Sequence, residues 1–249
     1  MHLLRWDLVA HSVGSRAAAL WNLVLPSVVI GVYLLAFDLT PGFRFAGRDT
    51  PGSYGLHLVV GLVPWLCFQE GITRSANAFV DQRHLITQIP IPPLLFPLAT
   101  VGSALVRHAV SVVILVAILL LSGVRPDRAW VALPLATFCL VLLTVGGALV
   151  VAALTVWQRD VAPLASGLML PWFFATPVIY PTWLVPPPLR LLLDLNPVSG
   201  VVLAYRDALV LGRAPPWDGL LYAAVVGTLV LLLGLSLVAR LAPDLPERL

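Results

Sequence analysis

Residues 130–157 read WVALPLATFCLVLLTVGGALVVAALTVW, twenty-eight residues without one charged side chain. A bilayer core needs about 20 apolar residues as a helix, so this stretch is predicted to cross lipid. Working outward from it, five more apolar segments follow the same rule, at about 21–38, 56–73, 94–121, 161–180 and 219–239. The segment over 94–121 is as long but carries Arg107 and His108. Pro26 and Pro64 interrupt the first two segments. Membrane helices tolerate proline where neighbours satisfy the freed carbonyls. The expected fold class is therefore an all-α membrane protein with six transmembrane helices in a single domain over residues 1–249.

Composition agrees. Of 249 residues, 59% are hydrophobic and 11% charged, where a soluble domain carries about 25% charged residues. Mean hydropathy is +0.96. All 15 basic side chains are Arg, scattered singly between apolar runs, so the net charge of +3 does not form a nucleic-acid patch. Cys67 and Cys139 both fall in apolar runs and give neither a disulfide framework nor a metal set. No short hydrophobic core followed by a small-residue cleavage site is seen, so a cleaved signal peptide is not expected.

The ends of the pattern differ from its middle. Over residues 2–20, Leu3, Trp6, Val9, Ala10, Val13, Ala17 and Leu20 share one helical face, with Arg5, Asp7, His11 and Arg16 flanking it. That pattern suits an amphipathic helix lying in the headgroup plane. Residues 181–218 are apolar but dense with proline. Two short helices fit there, one over about 187–194. The other opens at Asn196-Pro197, a cap followed by Pro at the first helical position, and stops at Gly212. Neither can span, so the segment reads as a re-entrant hairpin. The loop arginines divide equally between the two sides, which leaves orientation open.

Chemistry is mostly conspicuous by absence. The sequence has no GxxxxGK phosphate loop, no HExxH, no GxSxG and no CxxC. The chain is therefore not expected to bind ATP by itself in the usual cradle. Arg107 sits at a span centre, where an Arg costs about 3 kcal/mol. It must face the protein interior or a polar cavity, as a pathway contact or paired with helix carbonyls or with Glu70, for which Arg74 competes from the same helix face. Aromatic residues gather at Trp65 and Phe68, and at Trp172, Phe173, Phe174, Tyr180 and Trp183. They fit packing, an interfacial belt, or the lining of a wet conduit in which rings stack on sugars.

Four stretches resemble a known family, the membrane subunit of bacterial ABC type-2 exporters, and within it the polysaccharide-export permeases. They are Leu20-Trp21 to Leu25-Pro26; Gly61-Leu62-Val63-Pro64-Trp65 with Phe68, Glu70 and Ser75-Ala76-Asn77; Ala175-Thr176-Pro177-Val178-Ile179-Tyr180-Pro181; and Asn196-Pro197 with Tyr205-Arg206. The basic stretch that the family usually carries ahead of its first span is reduced here to Arg5, Asp7 and Arg16.

The resemblance implies a channel-forming subunit, not an enzyme, in the bacterial cytoplasmic (inner) membrane. It would pair with a second copy of itself and two copies of a cytoplasmic ABC ATPase, which would hold ATP and Mg; this chain would bind no cofactor. Both termini would be cytoplasmic. Residues 1–20 would form the interface helix, and 77–92 the coupling loop, with Asn77, Asp81, Arg83 and His84 as its polar members. Residues 181–218 would be the external gate hairpin, with Pro181, Asn196, Pro197, Tyr205 and Arg206. Trp65, Phe68, Trp172, Phe173, Phe174, Tyr180 and Arg107 are the conduit candidates. The implied cargo is a lipid-linked polysaccharide such as O-antigen, capsule or teichoic acid. Export of a drug or other small amphiphile is the alternative within transport. A membrane-embedded enzyme on lipid-linked sugars is the alternative outside it, and would need clustered acids or a metal set.

Overall fold

The computed structural model describes residues 16–38, 54–88 and 91–245, and all regular structure among them is helical. In order these are α1 (Arg16–Asp38), α2 (Tyr54–Ser75), α3 (Ala78–Asp81), α4 (Arg83–Gln88), α5 (Leu95–Leu121), α6 (Leu133–Trp157), α7 (Val161–Ala175), α8 (Pro187–Asp194), α9 (Pro197–Arg206) and α10 (Trp217–Leu241). A 3₁₀ turn at Arg128–Ala132 leads into α6, and a π-helical turn at Asp207–Leu211 extends α9. Most of the interface helix expected at the N-terminus lies outside the described residues, and Arg16 onward already belongs to α1.

Among the described residues, four helices are long and apolar enough to cross a membrane: Tyr54–Ser75, Leu95–Leu121, Arg128–Trp157 and Trp217–Leu241. The fifth expected span falls short of that measure, with an apolar helix at Val161–Ala175, and within the first expected span the described side chains form an apolar helical stretch at Val24–Ala36. The expected segment 161–180 is helical only to Ala175. Thr176 is already extended, because the residue before a proline is pushed out of the helical region and Pro177 follows. At the other end of the fold, the two short hairpin helices fall where the cap and stop residues place them. Asn196 caps α9 through its side chain, and Gly212 closes the π turn at φ +56°.

Hydropathy and burial rank the spans differently. α2 is the least apolar of the four, yet 83% of its window is buried, against 22% for α5 and for α10. It runs through the middle of the protomer, packed on α5, α6, α9 and α1. α6 and α10 form the closest pair. A Cβ on Gly146 would lie 2.6 Å from Leu231 N, and one on Gly234 would lie 2.7 Å from Leu149 Cβ. Ala223 and Gly227, small residues that allow close helix approach, are used inside the protomer: both are buried, Gly227 against Leu142 and Leu143 of α6. They therefore do not offer a seam to a second copy.

The protomer has two distinct ends. At one, Ala78 and Phe79 of α3 pack with Phe96, Leu149, Val238 and Leu241, so the 77–88 turn sits beside the C-terminal end of α10. At the other, α8 packs on α9, and the π turn that extends α9 lies beside the 3₁₀ turn and the Asp127 loop, which nearly touches Gly212.

Candidate functional site

The turn after α7 leaves backbone carbonyls without helical partners inside an apolar protein. In such surroundings each must be satisfied by protein groups. Side chains from α2, α9 and the turn itself do so. Tyr54 donates to Ile179 O at 2.8 Å, Arg206 Nη2 to Val178 O at 2.9 Å, and Tyr180 to Phe174 O at 2.7 Å. Asn196 is the central piece. Its Nδ2 donates to Thr176 Oγ1 at 2.8 Å and to Ala175 O at 3.2 Å. Its Oδ1 accepts from Val198 N, which caps α9, and from Trp172 Nε1, both at 3.1 Å. The Asn-Pro element thus locks the α7 turn to α9.

Tyr205 and Arg206 close the other end of α9. Tyr205 is fully buried, its hydroxyl 2.9 Å from His108 Nε2 on α5 and 2.5 Å from Thr137 Oγ1 on α6. Arg206, 2% exposed, reaches back toward α2 at His57 O. Burial lowers its pKa to about 10, which leaves it charged at neutral pH. Burial raises the Asp207 carboxyl, against the opposing pull of Arg213 at 2.8 Å. Pro181 is buried at the start of the Thr182–Leu184 turn. Thr137 and His57 escaped the sequence reading, and Thr176 entered it only as part of the Ala175–Pro181 stretch, since a lone polar residue in an apolar run does not say which carbonyl or hydroxyl it meets.

The aromatic candidates form one cluster. The Trp65 ring lies 5.8 Å from Phe68 and 5.6 Å from Phe173, Phe68 lies 5.1 Å from Trp172, and Phe173 lies 5.5 Å from Phe174. Trp65 and Phe68 are buried in this protomer, Trp172, Phe173 and Tyr180 are half-buried, and Phe174 is 56% exposed. The cluster therefore grades from core to surface, and only its outer members present rings to anything beyond the chain.

Arg107 is paired. Its Nε lies 3.0 Å from Glu70 Oε2 and its Nη2 2.5 Å from Glu70 Oε1, a two-point contact across α2 and α5. Arg74 approaches the same carboxylate at 3.3 Å. Glu70 and Arg107 line a cavity of about 380 Å³ between α1, α2 and α5.

At the opposite end, Asn77, Asp81, Arg83 and His84 are all exposed, while their neighbours Ala78 and Phe79 are buried. The short turn presents a polar face held in place by an apolar one. Among the described residues no group of three or more His, Cys, Asp or Glu could hold a metal ion.

The profile of the ABC-2 type transporter family matches residues 6–210. The chain belongs to that family. It is a multi-pass membrane protein of the ABC-2 type. Relatives matched over most of the chain are named as export permeases. It is 27% identical over 231 residues to the O-antigen export system permease protein RfbA of Myxococcus xanthus, covering 92% of this chain and 86% of that one. Two proteins of the same name from Klebsiella pneumoniae are 25% and 24% identical over 238 residues, covering 94% of this chain and 88% of each. In this ABC-2 chain the matched region takes in α2, the α7 turn and the Asn196–Arg206 latch, and ends within the π turn.

Proposed function

We propose that the chain is the channel-forming subunit of an ATP-driven exporter that moves a lipid-linked polysaccharide across the bacterial cytoplasmic membrane. The observation that carries this reading is the likeness, over more than nine-tenths of the chain, to permeases named for O-antigen export. The geometry is consistent with it. The polar face of α3 and α4 is the docking element for a separate ATPase, which holds ATP and Mg. The latched hairpin at the far end is the external gate.

Six crossings fit the same picture. At 1.5 Å per residue, α1 reaches about 34 Å and α7 only about 22 Å, against a hydrocarbon core of about 30 Å. The turn after α7 completes the fifth crossing. Its irregular backbone is compatible with membrane depth because Thr176, Pro177 and Val178 are buried in protein. A hydrophilic polymer needs a closed wet path that one such protomer is too thin to enclose, so two copies surround it. Phe174, Tyr180 and Trp172 are the lining members, with Trp65 and Phe68 as the packing behind them.

The test is deletion of the gene in its host, followed by complementation. Surface polysaccharide should vanish, lipid-linked precursor should accumulate in the membrane fraction, and the wild-type chain should restore both. A Phe174→Ala, Tyr180→Ala chain should insert at normal levels and restore export poorly. Undiminished surface polysaccharide in the deletion strain would overturn the reading.

A further inference from the structure

Beside the latch lies a second cavity, of about 620 Å³, between the Thr182–Leu184 turn, α8, α9 and the first turns of α10. That volume falls within the range of small-ligand pockets, about 300–1,000 Å³. Its floor exists because Gly200 and Gly219 bring α9 and α10 into near-backbone contact; a Cβ on Gly200 would collide with the Gly219 carbonyl.

Ser199 makes this cavity more than a surface dent. It lines the floor, is 2% exposed, and its hydroxyl has no hydrogen-bond partner among the described residues. Helical hydroxyls usually back-bond to the carbonyl four residues earlier, as Thr144 does to Leu140 O and Ser166 to Ala162 O. For Ser199 that carbonyl is Leu195 O, which receives the Tyr222 hydroxyl at 3.0 Å instead. A buried hydroxyl left without a partner costs stability, so the site is arranged to receive a partner from outside the chain.

The walls specify its chemistry. Asp194, Asp218 and Arg190 line the cavity and are exposed, with Trp183 and Tyr222 presenting rings. Arg190 Nε is held by Val185 O, which fixes the guanidinium at the rim. Asp194 stands at the C-terminal end of α8, where the helix dipole disfavours a negative charge. Two carboxylates against one guanidinium repel a phosphate headgroup. A purely apolar molecule would strand all of these groups. A neutral polyhydroxylated ring satisfies them, because its hydroxyls donate to Asp194 and Asp218, accept from Arg190, and exchange with Ser199, while its apolar face rests on an aromatic ring.

We propose that this cavity binds a neutral sugar unit of the exported polymer at the hairpin end of the permease. The proposal rests on the exporter reading above and adds a site to it. The probe is the host's own surface polysaccharide, released from lipid by mild acid and fluorescently end-labelled. Binding is measured to the permease–ATPase complex in nanodiscs. Ser199→Ala should weaken binding about fivefold, the loss of one neutral hydrogen bond, and Asp218→Asn about tenfold, the loss of a charge-assisted one. Leu191→Ala, on the exposed face of α8 outside the cavity, should bind as wild type. Each variant is first required to copurify with the ATPase in wild-type yield.

Wild-type affinity in both Ser199→Ala and Asp218→Asn would overturn the site. Equal weakening in Leu191→Ala would overturn it too, since the effect would then be a general disturbance of the hairpin. Either result, in a host whose deletion strain loses its surface polysaccharide, leaves the exporter reading standing. A deletion strain with normal polysaccharide removes both together.

Discussion

The α6–α10 contact and the α7–α9 latch hold this protomer together by opposite means. Between α6 and α10 the contact is steric: Gly146, Gly227 and Gly234 remove side chains so that backbones meet. Membrane helices gain little from hydrophobic burial against one another, because lipid is equally apolar, and association there relies on close packing. The latch is instead polar. Asn196, Tyr54, Tyr180 and Arg206 satisfy carbonyls that the broken end of α7 cannot satisfy itself. A regular helix needs only shape from its neighbours, whereas an irregular one needs donors.

The comparison can be broken first on its steric side. Gly146→Val places branched carbon against the α10 backbone, which cannot move away as a flexible side chain could. It should destabilise the protomer by about 3 kcal/mol, read as a fall in the unfolding midpoint of detergent-purified protein. Gly167→Ala on α7, where an added Cβ meets nothing within 4 Å, should leave the midpoint unchanged. Equal effects at both sites would mean that close approach is not what binds α6 to α10.

The polar side should yield less, and in a graded way. Asn196→Ala strands Trp172 Nε1 and Val198 N along with the carbonyl of Ala175, for an expected cost of about 2 kcal/mol. Asn196→Ser keeps the cap on Val198 N but loses the ties to Ala175 and Thr176, for about 1 kcal/mol. Hydrogen exchange over 176–206 should follow the same order. Wild-type behaviour of Asn196→Ser would show that the cap alone, and not the tie to the α7 turn, holds the hairpin.

These two regions were not equally readable in the sequence. Length and apolarity are additive along a chain, so the spans at α2, α5, α6 and α10 were legible as such. The hairpin helices were legible because Asn196-Pro197 and Gly212 are local signals with local causes. Hydropathy failed at α7, because Thr176 to Tyr180 is as apolar as the helix before it and only Pro177 marks the break. It also ranked α2 last, although α2 is the most buried, since burial depends on neighbours that a window does not see. Trp65 and Phe174 look alike in sequence for the same reason, and the fold alone separates the core ring from the exposed one. A small residue such as Gly227 allows a close approach without naming its partner, which is α6 of the same chain.

The 77–88 turn combines both means at small scale and should give the smallest change in stability. Phe79 is buried against Phe96 and the α10 end, which fixes the turn sterically, while Asp81 and Arg83 stand exposed on its other face. Replacing exposed charges usually shifts stability by no more than about 0.5 kcal/mol. Asp81→Ala, Arg83→Ala should therefore unfold like wild type. If this polar face docks the ATPase, the same double variant loses contacts that become desolvated only in the complex, where charged pairs count for more than they do in water. A tenfold weakening of ATPase binding corresponds to about 1.4 kcal/mol, well above the expected change in fold stability. The experiment is copurification of the cognate ATPase with each variant, titrated to give apparent affinity, beside the unfolding midpoint of the permease alone. Weakened binding at an unchanged midpoint places the docking surface here. Wild-type recovery of the ATPase by the double variant would move that surface elsewhere and leave α3 and α4 as a plain turn between α2 and α5.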